Sequence, residues 1–224
     1  MRGSSNSPLR LVLLGAPGAG KGTQSQLLCA RLGIPHISTG DLLREAQHAG
    51  SRLGREASRY IDRGEFVPDD LITAVVDQRL RHSAPSTGFA LDGFPRTLNQ
   101  AKGLDTILSH KGVQLTGVLF YDCPEEELIR RLSGRWVCDG CGAIFHFEPE
   151  DPAVKQPCPV CGGRLYRRED DTPDSIRTRF KRFYESTQPL IEFYTRRGIL
   201  LRVDAAGEVE EVYLRSLAAL SISP

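Results

Sequence analysis

The sequence predicts an α/β protein built on a parallel sheet, and three observations carry that expectation. Short apolar runs recur at residues 9–14, 89–92, 118–122 and 199–203. Stretches with helical spacing separate them, which calls for parallel pairing through right-handed crossovers, with ligands at the carboxyl ends of the strands. A glycine-rich turn at residues 15–20 lies at such an end and leads into helix-forming sequence.

The chain has 224 residues, near the upper end of what one hydrophobic core serves, so one main domain with inserted pieces is expected. Its 40% hydrophobic and 25% charged residues fit an ordinary globular protein rather than a disordered, fibrous or membrane one. A net charge of +1 supplies no global attraction for nucleic acid or an anionic membrane, so any basic site must be local. Residues 1–8 are polar and small, and the run at 9–14 is too short for a bilayer span or an export signal, so a cytoplasmic address is expected. There the six cysteines would stay reduced, favouring metal ligation or packing over disulfides.

Taken in order, the run at 9–14 reads as a strand buried on both faces. Residues 21–32 read as a helix, with Leu27, Leu28 and Leu32 on adjoining turns and Gly33 placed for a left-handed C-terminal cap. Two stretches interrupt the rhythm. Residues 38–67 read as short charged helices punctuated by Gly50, Gly54 and Gly64, whereas residues 134–171 are rich in Cys, Gly and Pro. Both look like insertions on the working edge of the sheet. Thr172 and Pro173 then supply an N-cap and a first helical position, and Ile176, Phe180, Phe183 and Tyr184 repeat at helical spacing as a core stripe. Residues 208–220 read as an amphipathic helix, and neither an internal repeat nor a low-complexity tract is present.

Gly15-Ala16-Pro17-Gly18-Ala19-Gly20-Lys21 follows a strand and opens a helix, which meets the context as well as the spacing of a phosphate loop. Its glycines let successive backbone N–H groups and the positive helix end face an anion, with Lys21 reaching the outer phosphates. The general pattern places Ser or Thr directly after the lysine to hold magnesium, but Gly22 is there and Thr23 comes one later. The magnesium ligand is therefore open among Thr23, Asp92 and water. Asp92 closes a buried strand beside the loop, where a carboxylate organises the ion or its waters, although a plain strand-end turn residue is the alternative. With its Gly-Thr ending, the run resembles the loop of the nucleoside monophosphate kinases.

Two further motifs extend that resemblance. Ser38-Thr39-Gly40-Asp41-Leu42-Leu43-Arg44 and Asp92-Gly93-Phe94-Pro95-Arg96 with Gln100 are similar to segments of the adenylate kinases. The resemblance implies that Arg44 and Arg96 hold the phosphate of an acceptor monophosphate. Its adenosine portion would meet Thr39, Gln100, the backbone of Glu65, Phe66 and Val67, and the segment Gly93, Phe94 and Pro95. Gln100 suits an adenine edge through its paired donor and acceptor. Arg44 by itself reads as a solvated helix charge and gains its role only beside the second motif.

In the same pattern Arg131, Arg135, Arg168 and Arg179 match arginines that converge on the transferring phosphoryl group, with Arg168 and Arg179 also facing the acceptor, whereas Arg130, Arg167 and Arg177 face solvent. Asp170 and Asp171 match acidic residues where the second insertion returns; orienting these arginines and a hinge or cap role are both open. An acceptor phosphate is largely ionised near pH 7 and needs no general base, so repulsion between polyanions is the obstacle and planar guanidinium groups answer it. Accordingly no Ser, His or Cys is expected to be catalytic, and the five histidines, His146 included, read as packing or surface residues.

Cys138-Asp139-Gly140-Cys141, then Cys158-Pro159-Val160-Cys161, is a pair of knuckles that supplies four thiolates to a tetrahedral ion, and a site filled by protein is structural. Cys29 and Cys123 are left to packing. The insertion resembles the zinc-bearing long lid of some adenylate kinases, which implies a closing lid with nucleotide contacts near Ile144 and Phe145 and with Gly207 at the donor base. The donor phosphates would meet Gly18, Ala19, Gly20, Lys21, Gly22, Thr23, Arg131 and Arg135.

The resemblance covers essentially everything after Pro8. It implies a three-layer P-loop NTPase fold with a central parallel five-stranded sheet: an extension at 1–8, a core at 9–37, 68–133 and 172–224, an AMP-binding insert at 38–67 and a zinc lid at 134–171. The implied partners are ATP, AMP and ADP with Mg2+, plus structural Zn2+, in a monomer with no nucleic-acid or membrane partner. A GTP-dependent or UMP/CMP-type kinase on the same fold stays open, as does, more remotely, a nucleotide-dependent zinc-ribbon binding module.

Overall fold

The structure is a computed structural model, and it describes residues 8–61, 67–82, 87–148, 151–168 and 171–223. The sequence-predicted contributions of Glu65, Phe66, Gly64 and Asp170, and residues 1–7 of the extension, lie outside the described residues.

A five-stranded parallel sheet forms the centre, in the order β2-β3-β1-β4-β8. It comprises β1 (Arg10–Gly15), β2 (His36–Ser38), β3 (Phe89–Asp92), β4 (Gly117–Asp122) and β8 (Leu200–Asp204). Successive side chains of a strand point to opposite faces, yet Leu11, Val12 and Leu13 are all 0–1% exposed. Both faces of the sheet are therefore covered by helices. The apolar runs predicted from sequence are four of these strands. The fifth, β2, escaped sequence reading because three residues, two of them polar, carry neither a periodic nor an apolar signal.

Helix α1 (Lys21–Leu32) ends at Gly33, whose φ of 64° is the left-handed cap foreseen for it. Next come α2 (Thr39–His48) and α3 (Arg52–Ile61), which form the first insertion. Gly50, with φ 58°, turns the chain between them. Gly54 does not punctuate as expected: it lies inside α3, where any Cβ would strike the carbonyl of Ala46. Its role is close approach of the two helices. Then follow α4 (Asp69–His82) before β3, α5 (Leu98–His110) before β4, and α6 (Glu125–Ser133) after it.

The cysteine-rich stretch forms a small antiparallel sheet of β5 (Arg135–Cys138), β6 (Ile144–His146) and β7 (Leu165–Tyr166), in the order β6-β5-β7. Helix α7 (Pro173–Arg182) begins at Thr172, whose hydroxyl accepts from the Ser175 N–H. Ile176, Phe180 and Phe183 are buried as the core stripe requires, but Tyr184 is 44% exposed. The cause is a π turn at Phe183–Thr187, which widens the helix and takes Tyr184 off the stripe, to donate instead to Glu125 Oε2 at 2.6 Å. Helix α8 (Pro189–Arg196) leads to β8, and α9 (Val209–Ala219) closes the chain behind a capping box between Glu208 and Glu211.

Candidate active site

At the carboxyl end of β1 the backbone turns sharply because it can. Gly15, Gly18 and Gly20 all have positive φ, and a Cβ on Gly18 would come within 2.8 Å of the Leu128 carbonyl on α6. Lys21 folds back over this loop and donates to the carbonyls of Gly15 and Ala16, each at 2.8 Å. Burial lowers its pKa to about 8, against the pull of Asp92, and Arg96, Arg179 and Arg135 lower it further. This ammonium group is poised to gain from an anion. A Cβ on Gly22 would lie in ordinary contact with Asp92 Oδ2, at 3.4 Å, so the Asp92 carboxylate stands beside the first turn of α1. His36 Nε2 stands 3.9 Å from the same oxygen.

Across a cleft of about 820 Å³ lies the second group. Ser38 caps α2 by accepting from the Asp41 N–H, and Arg44, one turn along, pairs with Asp41. Against the opposing effect of burial, Arg44 draws the Asp41 carboxyl below its ordinary range. Gly93, at φ 79°, leaves room for Thr39 and Arg96: a Cβ there would fall 2.8 Å from Thr39 Oγ1 and 3.2 Å from Arg96 Nη2. Thr39 donates to the Asp92 carbonyl at 3.3 Å and Arg96 Nε to the Gly93 carbonyl at 2.8 Å.

The remaining arginines come from both margins of the second insertion. Arg135 at the start of β5 grips the fully buried Asp171 with two hydrogen bonds, and Arg179 on α7 reaches the same carboxylate at 3.0 Å. Asp171 thus pairs with two arginines at once, as the orienting role read for it requires. Arg131 donates to Glu127 at 2.7 Å and to the Gly207 carbonyl at 3.2 Å. Hydrogen bonds from Arg130 and then Arg131 hold the Glu127 carboxyl down at about 2. Arg44, Arg96, Arg131, Arg135, Arg168, Arg179 and Lys21 all line the one cleft. Arg130, Arg167 and Arg177 are exposed, as foreseen.

Comparison with known proteins gives the chain a family. The family profile described as adenylate kinase matches residues 13–199. The chain is 43% identical over 214 residues to the adenylate kinase of Caldicellulosiruptor saccharolyticus, covering 96% of this chain and 100% of that protein. It is 47% identical over 212 residues to that of Acidothermus cellulolyticus, covering 95% and 98%, and 43% identical over 205 residues to that of Archaeoglobus fulgidus, covering 92% and 94%. The chain belongs to the adenylate kinase family. Membership makes it a phosphotransferase, which agrees with a cleft lined by cations and glycine turns.

Not every residue expected from the adenylate kinase motifs reaches that cleft. Gly18, Gly20, Gly22, Thr23, Thr39, Val67, Gly93, Pro95, Gln100 and Ile144 line it. Phe94 and Ala19 are buried at 0% and 1% exposure in the core and do not line the cleft, and Phe145 stacks on Phe147 with ring centroids 5.9 Å apart. His146, read from sequence as packing or surface, is on the cleft wall and contacts the Arg131 carbonyl at 3.1 Å. Glu127 went unnoticed because an acidic residue in a helix's first turns is ordinary; its spacing of four from Arg131 was the available signal.

The adenylate kinase cleft is bordered by a four-cysteine cluster whose ligand atoms all lie within 4.8 Å of one another. Cys138 and Cys161 sulfurs are 3.4 Å apart and those of Cys141 and Cys158 3.8 Å, close to the roughly 3.8 Å edge of a tetrahedron with metal–sulfur bonds of about 2.3 Å. The Gly140 N–H donates to Cys138 Sγ at 3.3 Å. The backbone at Cys141 helps bring the Cys138 thiol down to about 7. Gly163 is required for space, since a Cβ would fall 2.9 Å from Cys138 Sγ. This donor set can hold a metal ion.

Proposed function

We propose that the protein catalyses ATP + AMP = 2 ADP, with ATP as its magnesium complex, and so balances adenine nucleotides in the cytoplasm as a monomer. The observation that carries the reading is the meeting of Lys21 with Arg44, Arg96, Arg131, Arg135, Arg168 and Arg179 on one cleft, with a phosphate loop on one side and the Thr39, Arg44, Arg96 and Gln100 group on the other. Two phosphate sites facing each other suit transfer between nucleotides rather than hydrolysis, where one would suffice.

In this reading the donor lies on Gly18, Ala19, Gly20, Lys21, Gly22 and Thr23, with its base near Gly207, Ile144 and Phe145. The acceptor phosphate meets Arg44 and Arg96, and its adenosine meets Thr39, Glu65, Phe66, Val67, Gly93, Phe94, Pro95 and Gln100. Arg131, Arg135, Arg168 and Arg179 neutralise the transferring group, and Asp171 keeps Arg135 and Arg179 from collapsing away. Thr23 and Asp92 would hold magnesium, mainly through water; bound there, the ion supplies charge neutralisation between the phosphates. The residues at 38–67 act as the acceptor insert and those at 134–171 as a lid stapled by zinc on Cys138, Cys141, Cys158 and Cys161, which shuts water out of the cleft.

Purified protein given magnesium, ATP and AMP should form two ADP for each ATP consumed. Absence of AMP-dependent ADP formation defeats the reading, and a higher kcat/KM with GTP, UMP or CMP would redirect it within the same fold.

A further inference from the structure

We infer that Asp69, through Gln100, makes the acceptor site choose 6-aminopurine monophosphates over 6-oxopurine ones. The inference rests on the proposal above that Gln100 meets the acceptor base, and it adds what fixes the polarity of that contact.

Gln100 is only 2% exposed, yet lines the cleft. A carboxamide is symmetric in shape and opposite in chemistry at its two ends, so a buried one reads a base edge only if something stops it from flipping. Two contacts do so. Gln100 Oε1 accepts from the Arg96 backbone N–H at 2.7 Å, and Gln100 Nε2 donates to Asp69 Oδ1 at 2.7 Å. The first partner can only donate and the second, as a carboxylate, can only accept. Turning the amide over would set two donors against each other at Arg96 and two acceptors at Asp69.

Asp69 is itself tied down. Its other oxygen accepts from the Thr97 hydroxyl at 2.8 Å, while that hydroxyl accepts the Gln100 N–H at 3.1 Å as the cap of α5. Helices α4 and α5 lie close, a Cβ on Gly103 falling 3.1 Å from Thr73 Cγ2, so the first turn of α4 holds the carboxylate at a set distance from Gln100.

Each polar atom of the Gln100 amide keeps one further valence: an N–H on Nε2 and a lone pair on Oε1. A 6-aminopurine offers the complementary edge, an amino donor beside the N1 acceptor. A 6-oxopurine offers the reverse, an O6 acceptor beside an N1–H donor, and can pair only with the flipped amide that Asp69 and Arg96 oppose. Sites whose buried polar groups are left mismatched reject a ligand strongly.

The test compares kcat/KM for AMP and IMP, with ATP as donor, in the wild type, Asp69→Asn and Gln100→Ala. Asparagine keeps the shape but can turn an NH2 toward a flipped Gln100, so the AMP/IMP ratio should fall by about tenfold or more, with the IMP value held or raised. A purely structural role would lower both values together and leave the ratio alone. Asp69→Ser, shorter and uncharged, repeats the measurement should the asparagine variant fail to accumulate. A ratio unchanged in the Asp69 variants but collapsed in Gln100→Ala overturns the role of Asp69 alone. A ratio unchanged in Gln100→Ala overturns the placement of Gln100 against the base, and this inference with it.

Discussion

The central sheet and the cysteine insertion are held together by different physics. In the sheet, Val12, Leu91, Val118 and Leu119 are 0% exposed and belong to one cluster that reaches from α1 to α9. Burial of that extent holds the phosphate loop in place without help. The insertion has a cluster of three buried residues, two of them cysteines of the four-sulfur group, Cys138 and Cys158, and the third Leu165. Its polar anchors are the Arg135–Asp171 pair at its margin and the sulfur cluster at its far end. The lesson is that the sheet is held by extended apolar burial, whereas the insertion is assembled from a few local ties, each removable alone.

The largest effect should come from the tie that joins the two regions. Arg135→Ala removes a cleft guanidinium proposed above to neutralise the transferring group, and leaves the buried Asp171 with Arg179 of α7 as its partner. The expected loss is on the order of 10³ in kcat, read by steady-state kinetics. Arg135→Lys, which keeps charge but loses the fork geometry, should recover little of it. Full activity in either variant would place the chemistry elsewhere in the cleft.

A matched pair of truncations tests the contrast in stability. Leu91→Ala in β3 should lower the unfolding free energy by about 2–5 kcal/mol, because Leu91 pairs in register with both Val12 and Ile37 and is fully buried. Leu165→Ala should leave the main denaturation midpoint nearly in place. Equal losses would mean that the insertion and the sheet unfold as one unit.

Metal removal sharpens the same point with a built-in reporter. The single tryptophan of the chain, Trp136, packs against the small cluster of the insertion. Stripping metal with a chelator should shift Trp136 emission to the red and reduce phosphoryl transfer, while the far-ultraviolet signal of the helices around the sheet changes little. Unchanged fluorescence with and without chelator would remove the metal from the account.

Legibility in the sequence followed the same divide. Features that chemistry confines to adjacent residues could be read directly: the glycine loop ending in Lys21, the two cysteine knuckles, the Thr172-Pro173 start of α7. Features made by residues far apart could not. Asp171 reaches Arg135 across 36 positions, and only the family resemblance raised it as an orienting residue; Asp69 reaches Gln100 across 31, and nothing in the local sequence marks that carboxylate as more than a surface charge. The π turn that exposes Tyr184 was equally hidden, since helical spacing alone assigns it to the core. Strand β2 was lost for the opposite reason, being too short to show any pattern at all.

The smallest predicted effect separates the cations of the two regions by pH. Lys21 in the sheet-borne loop has a pKa of about 8 in the nucleotide-free protein because burial disfavours its charge, whereas the insertion's arginines stay charged throughout the accessible range. Lys21 therefore titrates below its unfolded value of 10.5: the fold carries the penalty of a buried charge below pH 8, and stability contributed by this residue rises as pH climbs from 8 toward 10.5. Nucleotide binding has the opposite sign. Phosphates favour the charged ammonium, so the complex holds a proton that the free protein has begun to lose above pH 8. ATP affinity should be level below that pH and weaken by at most about tenfold per unit above it, as followed by calorimetry at several pH values. Lys21→Arg, which cannot lose its proton, should flatten the profile; a fall of the same steepness in that variant would assign the titration to another group.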